Sequence, residues 1–490
     1  MNVIDIVIFI AYLFGVVIFG SSFYRSNKSS TSFTVGNKNI PTWVISMSIF
    51  ATFVSSISYL ALPGQAYLSN WNAFVFSLSI PVATYMAVRF FVPLYRSVNS
   101  PSAYTYLEKR FGPWAKTYVS VMYLLTQLMR AGTILFLLAL TINVITGWSI
   151  VTVIIVTGLS VMIYSLLGGI QAVVWTDAIQ GIVLVTGALV CAGLLLFSMP
   201  EGPGQFFEIA MENNKFSLGS FKLELTSSTF WVVLIYGLFI NVQNFGIDQN
   251  YIQRYMTASS EKEAKKSALY GGLLYVPVSL LFLFIGTALF SYYTAHPGLL
   301  PADIPADKVF PYFIVNGLPT GLTGLLIASV FAAGMSTIST SVNSSATVIL
   351  NDYFKVSSDG NDAKSMKILY SSSFLFSVFS IIIAIAMINV QSALETWWKL
   401  ASIFSGGMLG LFLLGYFSKK VKTTSALIGV VAGVIVIGWM SLSPIFFTSD
   451  SLQPLVSPFH SYLSIVFGTA TIFIVGFLAG VFINRSKQNN

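Results

Sequence analysis

The sequence predicts an all-α integral membrane protein with about 13 transmembrane helices, each needing ~20 mostly apolar residues to cross the hydrocarbon core. Three observations carry this. The chain has 490 residues, of which 55% are hydrophobic and only 9% charged. An ordinary soluble domain carries about 25% Asp, Glu, Lys and Arg, so this chain lacks the charge to cover a water-exposed surface of its size. The apolar residues fall in long continuous runs, unlike the alternating strands of an outer-membrane barrel. The charges sit in short clusters between the runs. Together these exclude a soluble enzyme, a disordered chain and a single-span receptor with a large ectodomain.

Taken in order, the apolar runs cover 3–22, 41–67, 73–95, 117–146, 149–167, 170–198, 229–252, 268–292, 317–350, 368–389, 397–417, 423–443 and 460–484. The first has no basic region before it, so it reads as a retained span rather than a cleaved signal. Lys and Arg favour cytoplasmic loops. One set of loops carries nineteen of them, including Arg25, Lys109, Arg110, Arg254 and Lys419, and the opposite set four, Lys215, Lys222, Lys308 and Lys399. This puts the N-terminus outside and the C-terminus in the cytoplasm. The net charge of +8 is therefore a topology signal, and no nucleic-acid partner is expected. Cys191 lies alone in an apolar run, and His296 and His460 lie between spans. No disulfide framework or cysteine metal site follows from that. The outer polar stretches 199–228 and 293–316 read as connectors or as lids over a vestibule; 351–367 reads as a cytoplasmic linker.

Ionisable groups at membrane depth mark function by default. Arg89, near a span end, can snorkel to the interface, and Asp5 lies at an outer end. Arg130 is mid-span, and Thr126, Gln127, Arg130 and Thr133 share one helical face. A guanidinium offers a planar fork of donors that suits a carboxylate-bearing ligand; an internal salt bridge is the other reading. Asp177 is the one acid inside 170–198. It needs a cation: an arginine, a proton or a bound sodium ion. Asp248, near a span end, suits a gate salt bridge or a helix end, with no role assigned.

Two runs are interrupted by polar residues: Val54-Ser55-Ser56-Ile57-Ser58, followed by Pro63-Gly64, and Asn241-Val242-Gln243-Asn244-Phe245-Gly246. With the first span set aside, each opens a five-helix unit, 41–198 and 229–417, and an odd span number makes the units opposite in orientation. Inverted repeats with discontinuous helices at matching positions are the mark of a secondary transporter. Polar residues gluing helices together is the plainer reading of either stretch alone. In the ninth run Ser336, Ser339, Thr340 and Asn343 share a face. Hydroxyl and carbonyl oxygens are hard ligands and suit a hard cation; close helix packing is the alternative. Gly406-Gly407-Met408-Leu409-Gly410 reads as packing only.

At these residues the chain resembles the sodium:solute symporters over nearly its whole length. The pieces that carry the resemblance are Tyr106-Leu107-Glu108-Lys109-Arg110-Phe111-Gly112, Gly168-Gly169-Ile170-Gln171-Ala172-Val173-Val174-Trp175-Thr176-Asp177, and the hydroxyl-rich ninth run. With Arg130 it looks most like the bacterial sialic acid members. The resemblance implies the leucine-transporter fold: an extra N-terminal helix and loop over 1–40, first repeat 41–198, outer loop 199–228, second repeat 229–417, and two C-terminal helices over 418–490. It implies a first sodium site at backbone oxygens of Val54, Ile57 and Ala333 with the hydroxyls of Ser336 and Thr337. It implies a second at Asp177, Ser339 and Thr340 with Ser336 nearby. Substrate contacts fall on Ser56, Ser58, Arg130, Asn241 and Asn244, with Ser77 or Ser79 on the third span.

The function expected is sodium-driven import of sialic acid (N-acetylneuraminate) by alternating access, in the bacterial plasma membrane. No cofactor is expected beyond sodium as coupling ion, and a lipid-embedded monomer is the default. Another symporter substrate (a sugar, proline or another carboxylate) is the nearest alternative. An ion channel would show a repeated pore motif, and a membrane enzyme a clear pair of catalytic carboxylates or a histidine in a span; neither pattern is visible.

Overall fold

The computed structural model describes residues 2–301, 304–354, 362–389, 403–404, 407–447 and 449–486. Among the described residues the apolar runs are built of helices, some of them broken. The long elements are α1 (Val3–Ser22), α2 (Thr42–Phe53), α3 (Ser56–Leu68), α4 (Trp71–Val98), α5 (Pro113–Thr146), α6 (Ile150–Phe197) and α7 (Phe230–Ile247). They continue with α8 (Gln249–Thr257), α9 (Glu261–Ala295), α10 (Leu322–Val348), α11 (Asp362–Ala386), α12 (Met408–Phe417), α13 (Thr423–Phe446) and α14 (Ser464–Ser486).

Ten described helices are long and apolar enough to cross a membrane, or eleven when α2 and α3 count as one broken span. The sequence expectation of about 13 spans differs for two identifiable reasons. The 48-residue α6 runs from Ile150 to Phe197 but contains Gly169 at φ 55, ψ −154. A straight helix of that length would run roughly 70 Å, more than twice the hydrocarbon core of ~30 Å. Gly169 divides it into the two spans expected at 149–167 and 170–198. The expected span 397–417 lies largely outside the described residues, and only its end is seen, as α12.

Gly169 is where the kink needs a glycine. Its positive φ is a region that L side chains rarely adopt, and a Cβ there would stand 2.9 Å from Asn27 Oδ1 and 3.0 Å from Phe33 Cα. The Asn27 amide in turn donates to the Leu167 carbonyl (3.1 Å), so the short loop after α1 plugs the kink.

The break between α2 and α3 falls where the polar run predicts it. Val54 and Ser55 are both extended (ψ 109 and 169), and the two arms bend by 53°. Ser55 caps α3, its hydroxyl accepting from the Ser58 N–H (3.4 Å). The second break lies later than expected. Asn241–Gly246 is regular helix within α7, and the chain leaves helical geometry at Asp248 (φ −76, ψ 125). Asp248 caps α8 by accepting from the Asn250 N–H (2.8 Å). A short acidic side chain that offers the backbone an alternative partner breaks the helix where it caps the next one; upstream, the Asn241 side-chain NH2 donates sideways to α4 instead.

At the centre stands α10. Of its most apolar window, 94% is buried, against 22% for α1. It packs on α6, α5 and α1, and on both arms of the broken helix. Asp5 of α1 is buried and caps α10, accepting from the N–H groups of Gly321 (2.7 Å) and Gly324 (3.0 Å); its role is the satisfaction of helix-end donors. The 199–228 stretch is tied to the end of α3 and the start of α4. Lys215 Nζ donates to the Tyr67 carbonyl (2.7 Å), and the Trp71 N–H to the Ser217 carbonyl (2.9 Å).

Candidate functional site

A cavity of about 500 Å³ opens beside the first break. Its deep end is formed by Ser55 and Ser58 of the break, Thr126, Gln127 and Arg130 of α5, and Gln243, Asn244 and Asp248 around the second break. It rises past Phe76, Ser77 and Tyr236 to a mouth at Asn72, Ser228 and Tyr462. Tyr462 stacks on Tyr236 with centroids 4.5 Å apart and planes at 16°. Two tyrosine hydroxyls tie together the helices around the cavity. The Tyr123 hydroxyl is bonded to Asn250 (2.9 Å) and Ser344 (2.8 Å), and the Tyr95 hydroxyl to the Gly246 carbonyl (2.9 Å). Phe53, the last residue of α2, stacks on Phe245 near the end of α7 (5.3 Å, 8°), so the two breaks are joined by an aromatic pair.

Arg130 is half-buried in this cavity, and its guanidinium donates to the Thr52 carbonyl at 3.3 Å. Thr52 lies in the last turn of α2, where carbonyls carry the negative end of the helix dipole. Among the described residues Arg130 makes no ion pair. Most of its donor fork is therefore left to the cavity. Gln127 links the same face to Asp248 (3.3 Å) and to the Ser341 hydroxyl (2.8 Å). Thr133 departs from the expected stripe: it is buried with its hydroxyl on Met387 Sδ (3.3 Å) and does not line the cavity.

Of the expected substrate contacts, Ser58, Arg130 and Asn244 face the cavity. Ser56 does not: it is fully buried behind the break, and its neighbour Ser55 lines the cavity instead. Asn241 does not either. Its amide donates to Ser79 Oγ (2.9 Å) and the Phe76 carbonyl (3.2 Å), tying α7 to α4. Residues two apart on a helix point to opposite faces, which separates Ser56 from Ser58, whereas Asn241 is held off the cavity by its bonds to α4. Of the two serines open on the third span, Ser77 reaches the cavity and Ser79 is used by Asn241.

Of the residues expected at the first cation site, Ala333, Ser336 and Thr337 lie on α10 where it packs against both arms of the broken helix. Ser336 Oγ donates to the Ala51 carbonyl (3.0 Å), and the Ala333 carbonyl accepts from the hydroxyls of Ser336 and Thr337 (both 3.2 Å). Val54 is one of the two extended residues of the break, and Ile57 lies in the first turn of α3. Every group here is a neutral dipole.

The second expected site holds a residue that loop-charge counting placed in the cytoplasm. Arg254 is fully buried in α8. Its Nη2 meets Asp177 Oδ2 at 2.5 Å and Thr340 Oγ1 at 2.6 Å; Nε donates to Ser48 Oγ (2.7 Å) and Nη1 to the Asn250 carbonyl (2.6 Å). Ser48 Oγ also donates to Asp177 Oδ2 (2.9 Å). Ser339 Oγ donates to the Ser336 carbonyl (3.0 Å), one turn from Thr340. Two of the expected ligands, Asp177 and Thr340, are thus in contact with a guanidinium. The signal for Arg254 was its setting: Tyr251-Ile252-Gln253-Arg254-Tyr255-Met256 has no second charge, unlike a solvated loop cluster.

Residues 33–433 match the profile of the sodium:solute symporter family. The chain belongs to the sodium:solute symporter family. It is 30% identical to the sodium/sialic acid symporter NanT of Aliivibrio fischeri over 473 residues, covering 96% of this chain and 91% of the relative. It is 32% identical to the sodium/sialic acid symporter SiaT of Proteus mirabilis over 441 residues, covering 89% and 88%. Its fold matches the solved substrate-bound outward-open state of a Na⁺-coupled sialic acid symporter with a TM-score of 0.90 at 29% identity, over 98% of each chain. The chain therefore has the leucine-transporter fold of that family and is a multi-pass, sodium-coupled membrane symporter, not an enzyme.

Proposed function

We propose that this chain imports sialic acid (N-acetylneuraminate) together with sodium across the bacterial plasma membrane. The observation that carries the reading is Arg130: a half-buried guanidinium in a cavity of about 500 Å³, with a single hydrogen bond among the described residues. The cavity is within the ~300–1,000 Å³ of small-molecule sites. A carboxylate seated on that fork gains charge-assisted, bidentate hydrogen bonds. Ser55, Ser58, Ser77, Gln243 and Asn244 offer the donors and acceptors that a polyhydroxylated, N-acetylated ring requires. Asp248, as an acceptor only when ionised, takes hydroxyl or amide N–H groups of the same ligand. The two relatives named for sialic acid support the choice among carboxylates.

Units 41–198 and 229–417 act as inverted repeats that rock about this cavity. The first sodium ion sits between Val54, Ile57, Ala333, Ser336 and Thr337 and braces the broken helix against α10. The second uses Asp177 with Ser336, Ser339 and Thr340. The cavity opens on the side of the 199–228 loop, which the loop charges put outside, so this conformation faces outward. Two sodium ions with one anionic substrate move one net positive charge inward, worth about 2.3 kcal/mol per 100 mV. A lipid-embedded monomer suffices for this cycle.

The test is uptake of radiolabelled N-acetylneuraminate into proteoliposomes with and without an inward sodium gradient. Sodium-dependent uptake that is stimulated by an inside-negative potential supports the reading. Folded protein that takes up none rejects the substrate. One observation favours a second reading: Asp248 and Arg130 line the same cavity, an arrangement that also fits a zwitterion such as proline. Competition by amino acids but not by sialic acid would select it.

A further inference from the structure

An open groove of about 670 Å³ lies outside the substrate cavity, where the chain leaving α1 and the kink of α6 meet α11. On α6 it is lined by the half-buried Leu166 and Leu167, directly before Gly168-Gly169. Tyr24, Tyr370 and Ser371 line one end; Phe374 and Leu375, one turn further along α11, line the other. The loop after α1 fixes these walls. The Ser30 N–H and hydroxyl both donate to Asp362 Oδ1 at the start of α11 (2.9 and 2.6 Å), and Phe33 meets the Tyr370 ring edge-on (6.0 Å, 77°). Charge is uneven around the groove. Residues 21–30 and 362–375 carry Arg25, Lys28, Lys364 and Lys367 but a single acid, Asp362. That acid is taken up by Ser30, whereas Arg25, Lys28 and Lys367 are exposed and form no ion pair among the described residues. Arg25 follows Tyr24, and Lys367 lies one turn before Tyr370 and Ser371, on the side that the loop charges place in the cytoplasm.

The groove is therefore basic and polar at one end and apolar at the other. From Lys367 to Leu375 is about 12 Å along the helix. A headgroup layer is about 5–8 Å deep on each side of the hydrocarbon core, so this length runs from headgroup level into the acyl chains. Tyrosines suit that boundary, with the ring in the apolar layer and the hydroxyl in the polar one. A chain lying in a groove between helices gains dispersion contacts that a tail on a smooth helix face lacks. We propose that the groove binds one anionic phospholipid, an acyl chain against Leu167, Phe374 and Leu375 and the phosphate beside Arg25, Lys28 and Lys367. The unpaired basic residues select an anionic headgroup over a zwitterionic one. The site goes beyond sodium and substrate binding and depends only on the chain spanning a membrane. Its occupant touches α6 and α11, which the proposed cycle places in units that rock against each other.

The experiment counts lipid on the full-length protein in detergent by native mass spectrometry, as dioleoyl phosphatidylglycerol or dioleoyl phosphatidylcholine is titrated in. Wild type should retain one phosphatidylglycerol and bind it about fivefold or more tightly than phosphatidylcholine, the worth of one basic residue near the surface. Arg25→Gln combined with Lys367→Gln should weaken that binding by about ten- to thirtyfold, at about fivefold per charge removed. Ser371→Trp fills the groove from an exposed position and keeps every charge; it should abolish retention, which a change in net charge cannot explain. Lys419→Gln combined with Lys422→Gln, in the loop between α12 and α13, removes the same charge elsewhere and should bind as wild type does. Equal affinity for the two lipids in wild type, or unaltered phosphatidylglycerol binding in either groove variant, overturns the proposal. So does an equal loss in the loop control, which would mean attraction to net charge alone. The exposed charge pair and its loop control decide if Ser371→Trp does not fold. Sialic acid uptake does not enter the readout, so this site and the substrate reading fail separately.

Discussion

Two arginines lie at membrane depth, and they differ in what the fold has left for them to do. Arg254 is fully buried, and the protein meets its guanidinium from four sides: Asp177, Thr340, Ser48 and the Asn250 carbonyl. Arg130 is half-buried, faces a cavity, and bonds one carbonyl at 3.3 Å. Both sit on helices beside the broken elements. The difference shows that charge at depth is not by itself a ligand site. The donors left over after the protein's own acceptors are counted single out Arg130 for the proposed ligand.

The largest way to break this comparison is to remove the saturated arginine. Arg254→Ala strands the Asp177 carboxylate in the core, which costs about 3–5 kcal/mol for a buried pair broken on one side. A marked drop in melting temperature in sodium-free buffer is expected. Arg254→Leu combined with Asp177→Leu should recover much of it, because no charge is then left unpaired. A single variant that melts like wild type would mean Arg254 is not the counter-ion described here.

Arg130→Ala should behave the opposite way. Its loss leaves no buried carboxylate within ion-pair distance, so the melting temperature should change little. Substrate binding should weaken by about 1.5–3 kcal/mol, the range for a hydrogen bond to a charged group, read as a rise in KM for uptake or in Kd by calorimetry. Arg130→Lys retains the charge without the planar fork and should recover only part. Unchanged affinity in Arg130→Ala sinks the carboxylate assignment.

These contrasts also measure what was legible in the sequence. Helix content, the family and the first break were readable because each rests on local signals: long apolar runs, motif residues, and a serine run that caps its own helix. The second break was placed too early, at Asn241–Gly246, because polarity alone cannot distinguish a residue that interrupts a helix from one that ties two together. Asn241 does the latter, on Ser79 and the Phe76 carbonyl. Asp248, which does break the chain, was open between a gate salt bridge and a helix end, and was not legible as a cavity wall. Arg254 was misplaced because loop-charge counting assigns every Lys and Arg near a span end to water, and only tertiary packing brings Ser48, Asp177 and Thr340 around it.

A smaller effect sharpens the register of the cavity next to Arg130. Ser58 lines it and Ser56 is fully buried away from it. Ser58→Ala should raise KM for uptake about two- to tenfold, the worth of one neutral hydrogen bond, while Ser56→Ala leaves it within error. The same pairing holds for Asn244→Ala, which should raise KM, and Asn241→Ala, which should lower thermal stability first. A result in which Ser56→Ala weakens uptake and Ser58→Ala does not would shift the whole first break by half a turn.

The smallest expected effect is at the mouth of the same cavity. Burial holds the His460 imidazole below its usual value. Its Nδ1 accepts from the Tyr462 N–H (3.4 Å), and its ring meets the Tyr462 ring edge-on at 4.5 Å. Both contacts support the tyrosine that stacks on Tyr236 over Arg130's cavity. A protonated imidazole has no acceptor to offer. The folded value lies below the unfolded one of about 6.5, so the unfolded chain binds more protons in that window and stability rises with pH across it. The contribution is complete above about pH 6.5 and falls away as the pH drops through the folded value. Melting temperature followed from neutral to mildly acidic pH should therefore decline more in wild type than in His460→Asn, whose side-chain oxygen keeps the acceptor without titrating. Parallel pH profiles for the two proteins would mean that the mouth does not depend on the neutral ring, and that only the deep end of the cavity, around Arg130, is built by charge.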